Sequence, residues 1–260
     1  MDAKTFERIS ARLFFNAVFP VMKVILTDDE KMNKKFQDVC ANVQIVAKDY
    51  DDLVGAYLVF NNGDFKVVNG ICEDPDITLS FKSLKAMNDM FRGGSNLPAI
   101  KGIMKTGLLI KVLSLLMAIK LIMPDSKTPT EEKKKLKVKM TLYMITTAVS
   151  QYNKAGVKAM AEWTKKQPDR IYQFSVKDVD IAAYIRIKAG KSKAGRGVYE
   201  RRSPFVHFAF NSVDGALQVL GGKVEFVEGV EKGYVNVIGS PEYSAKLNDF
   251  MSTIQSMLIK

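Results

Sequence analysis

Residues 75–81 read Pro-Asp-Ile-Thr-Leu-Ser-Phe, and residues 204–210, which lie 129 positions later, read Pro-Phe-Val-His-Phe-Ala-Phe. Apolar and polar side chains alternate in both stretches, which is typical of a strand with one buried face. Apolar residues at helical spacing follow each stretch, and a pair of glycines follows them, as is typical of the end of a helix. The sequence therefore predicts that one strand–helix unit occurs twice in the chain.

The repeat extends beyond this unit in both directions. Upstream, residues 54–58 parallel residues 181–185, so the same strand is predicted before both units. Downstream, the apolar run 108–113 is predicted to be a strand that matches a strand over 234–238, and a helix is predicted after each of them. The offset there is 126 residues, which predicts a gain or loss of about three residues near residues 95–98.

The repeat divides the 260 residues into two predicted domains, 1–125 and 126–260, each of ordinary domain length. A capping box with proline at the first helical position is predicted at 128–131. A long helix over 129–166 is therefore predicted to open the second domain. The predicted fold class is α+β, with helices that cover one face of a mainly antiparallel sheet in each domain.

The order of these segments resembles the sterol carrier protein type 2 family. The matching segments are a hairpin at 63–67, the strand at 75–79, the glycine-led strand at 107–113 and the apolar helix at 116–121. The match is closer over 40–122 than over 170–258. The resemblance implies two sterol-carrier-like repeats, each with a sheet of about five strands and an apolar tunnel between sheet and helices. It also implies binding of a sterol, fatty acid, acyl-CoA or phospholipid, without a metal or a cofactor.

The resemblance places a ligand-binding wall in the first repeat. The predicted wall residues are Ile77, Leu79, Phe81, Met87, Met90, Phe91, Leu116, Met117 and Ile119. Flexible methionines tolerate varied apolar ligands, so the set is consistent with a cavity, although each residue alone is also explained as core. The second repeat has a polar closing helix from Pro241, and the better pocket is therefore expected in the first repeat.

Charge is distributed unevenly along the chain. Residues 1–125 contain 16 lysines and arginines against 15 aspartates and glutamates, whereas residues 126–260 contain 23 against 13. A predicted hairpin carries much of this excess on Arg186, Lys188, Lys191, Lys193, Arg196, Arg201 and Arg202. We predict that it docks on an anionic membrane, with phosphate contacts to nucleic acid or a solvated loop as alternatives.

No pattern of catalytic or metal-ligating residues is found in the sequence. His207 is the only histidine, and it replaces Thr78 in the repeat, so a hydrogen-bonded or solvent-facing role is expected. Cys40 and Cys72 are too few for a disulfide framework and are interpreted as reduced packing residues. We therefore predict no catalytic, metal or cofactor site, and the protein is not expected to be an enzyme.

Two stretches of the sequence bear on the cellular location. The run 103–123 is not predicted to cross a membrane, because it contains Lys105, Lys111 and Lys120. Residues 1–12 alternate charged and apolar side chains, which argues against a secretory signal. The protein is therefore expected in the cytoplasm.

The sequence favours an intracellular carrier that holds a lipid in an apolar tunnel, mainly in the first repeat, and contacts an anionic membrane peripherally. A protein-interaction or scaffold module on the same fold is the first alternative, and a basic nucleic-acid-binding protein is the second. Aromatic side chains that stack on bases would favour the second, but the basic hairpin contains only Tyr199. No specific nucleic acid is therefore expected.

Overall fold

A computed structural model describes residues 1–50 and 52–259. It divides into two compact units, which are unit 1 with Met1–Lys120 and Met257–Lys260, and unit 2 with Leu121–Ser256. The sequence-based boundary after residue 125 lies a few residues beyond the boundary after Lys120. Each unit contains one five-stranded sheet flanked by helices. The predicted α+β class with two sheet-and-helix units is confirmed.

In unit 1 a helical segment precedes the sheet, and single helices follow its fourth and fifth strands. The strands are β1 (Cys40–Asp49), β2 (Asp52–Asn61), β3 (Asp64–Asn69), β4 (Ile77–Phe81) and β5 (Ala99–Lys101). The helices are α1 (Ala3–Leu13), α2 (Met22–Asp28), α3 (Glu30–Phe36), α4 (Leu84–Phe91) and α5 (Thr106–Ala118). A π-helical turn (Phe14–Val18) and a 3-10 turn (Phe19–Val21) connect α1 to α2, and a 3-10 turn (Ile119–Ile122) follows α5.

The sheet of unit 1 has the strand order β3-β2-β1-β4-β5. β1 and β4 are parallel, and the other neighbouring strands are antiparallel. Side chains of a strand alternate between the two faces of its sheet. Val43, Ile45, Leu58, Ile77 and Leu79 therefore share one face, and all five are buried. This face carries the core of unit 1.

The N-terminal helical segment supplies the other half of this core. Leu13, Phe14, Phe19, Met22 and Ile25 are each no more than 1% exposed. The ring centroids of Phe14 and Phe19 lie 5.5 and 4.8 Å from that of Phe91 on α4. Aromatic pairs at these distances stabilise a core beyond the area they bury. The segment therefore fills the space beside β3 and α4 with its own side chains.

Unit 2 has its own sheet and two helices before it. The strands are β6 (Asp169–Val176), β7 (Ile181–Lys188), β8 (Lys191–Arg196), β9 (Val206–Phe210) and β10 (Val235–Gly239). The helices are α6 (Glu131–Lys154), α7 (Lys158–Lys165), α8 (Val213–Leu220), α9 (Phe226–Glu231) and α10 (Pro241–Leu258). The strand order is β10-β9-β6-β7-β8, with β6 and β9 parallel. Read from the opposite edge, this is the order found in unit 1.

The strand registers of the two sheets also match. Val43 pairs with Ile77 in unit 1, and Tyr172, which lies 129 residues after Val43, pairs with Val206 in unit 2. A strand followed by a serine-capped helix occurs at β4–α4 and again at β9–α8. The strand–helix unit that the sequence predicts twice is therefore present twice.

A buried glutamine lies at the same place in both sheets, on the face opposite the core. Oε1 of Gln44 accepts a hydrogen bond from the backbone N–H of Cys72, with an N···O distance of 2.6 Å. Oε1 of Gln173 accepts one from the backbone N–H of Tyr199 at 2.9 Å. In each unit this bond ties the loop that leaves the third strand to the middle of the sheet.

The predicted strand over 108–113 is wrong, because these residues lie inside α5. A continuous apolar run fits a buried strand and a buried helix equally well. The edge strand that pairs with β4, on the side away from β1, is β5. Gly102 and Gly239 end β5 and β10 at matching positions, where an added Cβ would lie 2.2 Å from a backbone oxygen. The offset between the units is therefore 137 residues here instead of 126, and α9 occupies the additional segment.

The predicted helix over 129–166 consists of two helices, α6 and α7. α6 begins next to the predicted capping box, where Oγ1 of Thr130 accepts a hydrogen bond from the backbone N–H of Lys133 at 3.3 Å. The break falls at Gly156, whose φ of +75° lies in the left-handed region. Glycine at such a position is a common way to end a helix.

Among the residues that the structure describes, one helical stretch, Ala3–Asp28, is long and apolar enough to cross a membrane by length and composition. It is 78% buried inside the protein, and core helices of folded domains pass the same test. A single stretch of this kind is weak support for a membrane span.

Candidate functional site

Five of the predicted wall residues lie together in unit 1. Ile77, Leu79 and Phe81 are on the core face of β4, and Met87 and Phe91 are on α4; all five are buried. The ring centroids of Phe81 and Phe91 are 6.1 Å apart. Burial is a property of core residues and of ligand walls alike, so the assignment of this cluster to a ligand wall stays a prediction.

The other four predicted wall residues differ from one another in their exposure to solvent. Met90 is half-buried on α4, whereas Leu116 on α5 and Ile119 after it are buried. Met117 is 61% exposed. The difference between Leu116 and Met117 arises because neighbouring helical residues point about 100° apart around the axis.

A groove of about 560 Å³ lies in unit 1 between α1 and the ends of β1, β2 and β3. It is lined by Arg8, Ala11, Arg12, Phe15, Asn16, Asp49, Leu53, Val54, Gly55, Asn69, Gly70 and Leu84. Ala11, Phe15 and Leu84 are buried and give the groove an apolar floor, and the exposed Leu53 belongs to its rim. None of the nine predicted wall residues lines this groove.

Two arginines one helical turn apart, Arg8 and Arg12, line the same groove. Nε of Arg8 lies 2.6 Å from Oδ2 of Asp49, so this guanidinium is paired. Arg12 is exposed, and no acidic side chain within 1–50 and 52–259 forms an ion pair with it. A guanidinium binds carboxylates and phosphates with two parallel hydrogen bonds. Beside an apolar floor, Arg12 is therefore suited to the head of an amphipathic anion.

Glycines and asparagines shape the groove. Gly55 lines the groove, and a Cβ there would lie 2.5 Å from the carbonyl oxygen of Ile45, so β1 and β2 approach each other too closely here for a larger residue. The N–H of Gly70, with a φ of +113°, donates to the carbonyl of Gly55 at 2.9 Å. Nδ2 of Asn69 donates to Oδ1 of Asn16 at 2.7 Å and bridges the two walls. The helix and the sheet are therefore held at a fixed spacing here.

All seven predicted docking residues lie on the antiparallel pair β7–β8 of unit 2 or in the loop that follows it. Lys188 pairs with Lys191, and Arg186 pairs with Lys193, so like charges lie opposite each other across the strands. The three lysines are exposed, as is Arg201 in the loop. A concentration of like charge on an exposed sheet face is suited to an anionic partner, and membrane docking by these residues stays a prediction.

Asp169 on β6 binds two of the predicted docking arginines. Nε and Nη2 of Arg186 lie 2.8 and 2.6 Å from its two oxygens, and Nη2 of Arg202 lies 2.5 Å away. The hydrogen bond from Arg186, with the one from Arg202, holds the pKa of Asp169 well below its ordinary value. Arg196 instead lies over the ring of Tyr143, 4.8 Å from its centroid. The charge left for a partner is therefore mainly on the lysines and Arg201.

His207 lies on the outer face of the unit 2 sheet. Its Nε2 is 2.7 Å from Oγ of Ser175, which confirms the expected hydrogen-bonded role. Burial lowers the pKa of the imidazole, so the ring is neutral at physiological pH. Within the described part of the chain, no carboxylate is hydrogen-bonded to this ring. The pair thus lacks the acidic group that orients histidine in a Ser–His–Asp triad.

Sequence analysis did not predict Arg8 and Arg12 as site residues. Their spacing of four residues places them on one side of α1, whereas Ile9 and Leu13 are buried on the other. This spacing is the feature of the sequence from which the two arginines could have been predicted to lie at one site. It does not show what faces the arginines, because the ends of β1 to β3 are distant in sequence.

No family model matches this chain, and no curated protein is significantly similar to it. Among solved structures, the chain is similar to the sterol carrier protein domain 2 of Helicoverpa armigera, at 18% identity over 45% of this chain and 89% of that one, with a TM-score of 0.34. It is also similar to sterol carrier protein 2-like 2 of Aedes aegypti, at 17% identity over 43% of this chain and 97% of that one, with a TM-score of 0.30. A stereoselective inverting sec-alkylsulfatase of Pseudomonas sp. matches at 9% identity over 67% of this chain and 32% of that one, with a TM-score of 0.28. With such low identities and TM-scores, function has to be argued from this chain's own residues.

Proposed function

We propose that unit 1 binds an amphipathic lipid whose anionic head contacts Arg12 and whose apolar chain lies on the floor of the groove. The observation that carries this proposal is an exposed arginine beside an apolar floor in a groove of about 560 Å³, with no ion pair to any acidic side chain in residues 1–50 and 52–259. Sites for small molecules commonly measure about 300–1,000 Å³. A fatty acid or an acyl-CoA fits this chemistry better than a sterol, because a sterol has no anion for Arg12.

The expected affinity follows from the two parts of the ligand. Each methylene removed from water contributes roughly 0.8 kcal/mol, so a chain with about eight covered methylenes gains about 6 kcal/mol. A hydrogen bond to a charged group adds about 1.5–3 kcal/mol. The loss of translational and rotational freedom opposes both. Micromolar binding needs a net gain of about 8 kcal/mol, which the two favourable contributions barely reach before this loss, so an affinity weaker than micromolar is expected.

The protein proposed here is a carrier that acts in the cytoplasm and catalyses no reaction. The groove is open along its rim at Leu53 and Arg12, both exposed, so a ligand enters and leaves without a chemical step. The resemblance of the sequence to sterol carrier proteins supports the same reading.

The charge of Arg12 is the most direct test of the proposal. We expect Arg12→Glu to weaken binding of a fluorescent fatty acid by about tenfold or more, since it replaces an attractive charge with a repulsive one. Binding of a fluorescent sterol should not respond to the substitution. Lys23→Glu is the matched control, because Lys23 lines a separate cavity of unit 1 and has the same charge.

Three outcomes decide the question. Equal affinities of wild type and Arg12→Glu for the fatty acid would rule out the groove as the head-group site. Loss of binding in Leu116→Ala, with Arg12→Glu unaffected, would place the ligand at the wall predicted from the sequence, because Leu116 is a buried member of that wall. Absence of binding in the wild type, and of lipid in mass spectra of solvent extracts, would favour the scaffold alternative.

A further inference from the structure

Helix α5 of unit 1 has one buried side. It packs on α2 and α3, and its buried residues are Val112, Leu115 and Leu116. Nζ of Lys35 on α3 donates to Oγ of Ser114 at 2.6 Å and links the two helices. The opposite side of the helix is therefore held toward solvent.

This opposite side is apolar. Ile110, Leu113 and Met117 are 63, 42 and 61% exposed, and their i, i+3, i+7 spacing joins them in one stripe. Just before the helix, Ile103 and Met104 are 59 and 97% exposed. Scattered exposed apolar residues need no explanation, but a contiguous exposed stripe indicates an interaction surface.

The charged residues that neighbour the stripe in the sequence are all basic. Between Asp89 and Asp125 the sequence contains no acidic residue. Lys101 and Lys120 are exposed and Lys111 is partly exposed, whereas Lys105 is paired with Asp76. An apolar stripe with lysines beside it is the composition of helices that lie in the headgroup region of a bilayer.

We propose that the stripe formed by Ile110, Leu113 and Met117, together with Ile103 and Met104, inserts into the surface of an anionic membrane. Phosphatidylserine-type headgroups would neutralise the neighbouring lysines while the apolar side chains leave water. A second copy of the same stripe is a poorer occupant, because it would bring the same exposed lysines, Lys101 and Lys120, together. This docking is independent of the groove, and a protein with an inactive groove would still dock.

The test is co-sedimentation of the full chain with vesicles of phosphatidylcholine, with and without phosphatidylserine. We expect binding to the vesicles that contain phosphatidylserine and a loss of about tenfold or more in the triple variant Ile110→Ser, Leu113→Ser, Met117→Ser. The matched control is Val227→Ser with Ile238→Ser, which removes exposed apolar residues of unit 2 and should bind as the wild type does. Circular dichroism checks that each variant is folded.

A second measurement covers the case in which the triple variant does not fold. In a Trp163→Phe background, which removes the native indole, the emission of Leu113→Trp should shift to the blue when phosphatidylserine vesicles are added, because the indole enters an apolar environment. Unchanged emission, or equal binding of the folded triple variant and the wild type, would overturn the proposal. Loss of binding only in the double variant Lys191→Glu, Lys193→Glu would show that the docking surface is the basic strand pair β7–β8 and not the stripe on α5. Equal binding to both vesicle types would overturn the anionic specificity.

Discussion

Gln44 and Gln173 are single buried amides on the outer faces of the two sheets. Gln173 is 2% exposed, its Nε2 donates to the carbonyls of Phe174 and Ala183, each at 2.9 Å, and its Oε1 accepts from Tyr199. A buried polar group costs stability when it has no partner, and here every polar atom of the amide has one. The glutamine therefore stabilises its sheet through satisfied bonds and not through apolar burial.

We expect Gln173→Leu to lower the free energy of unfolding by about 1–3 kcal/mol, because it leaves the Tyr199 N–H and two carbonyls without their partner. Urea denaturation followed by circular dichroism measures the change. Gln151→Leu on α6 is the control, since Oε1 of Gln151 is buried without a hydrogen-bond partner among the described residues. A leucine there should be neutral or stabilising. A loss of equal size in both variants would contradict the role of the Gln173 bonds.

Asp169 makes the stability of unit 2 depend on pH. Its folded pKa is lowered by Arg186 and Arg202, so its contribution is present above the unfolded pKa of about 3.9 and is lost as pH falls below it. We expect Asp169→Asn to lower the melting temperature at about pH 7 and to do so less at about pH 2.5. Thermal melts of both proteins at the two pH values check this. A difference that stays constant or grows toward acid would contradict it.

The matching edge strands β5 and β10 end at Gly102 and Gly239, and no other residue replaces these glycines easily. Gly102 has a φ of +85°, and an added Cβ would meet the backbone oxygen of Asp76. We expect Gly102→Ala to cost about 1–3 kcal/mol of stability. Gly107→Ala on α5 meets no atom within 4 Å and should be stabilising by up to about 1 kcal/mol. Urea midpoints measure both, and a stable Gly102→Ala protein would show that β5 does not need this conformation.

Elements with a periodic pattern could be predicted from the sequence, and short or uniformly apolar ones could not. Apolar and polar side chains alternate along β4, and apolar side chains recur at helical spacing along α4. The sequence predicts both elements near their observed bounds. β5 has three residues and no pattern of its own, whereas residues 108–113 are apolar except for Lys111 and show no clear period. The groove could not be predicted, because α1 meets the ends of β1 to β3 only through tertiary packing.

The two units of the molecule have the same strand order but carry different surface residues. Unit 1 carries the groove with Arg12 and the exposed stripe of α5, and unit 2 carries the basic strand pair. Val59 and Asn61 in unit 1 stand where unit 2 has Arg186 and Lys188, as the strand registers show. The sheet is thus a shared frame, and the outward-facing side chains distinguish the two units.

Equal strand orders in one chain also create a hazard during folding. β1 and β6 offer the same parallel edge, so β4 and β9 could exchange places and trap a misassembled chain. Side-chain volume opposes this exchange. Phe174 stacks on Phe208 with centroids 4.6 Å apart, while the matching pair in unit 1 is the smaller Ile45 beside Leu79. An exchanged strand would leave a void in one sheet and overfill the other, so the divergence of the two cores directs each strand to its own partner.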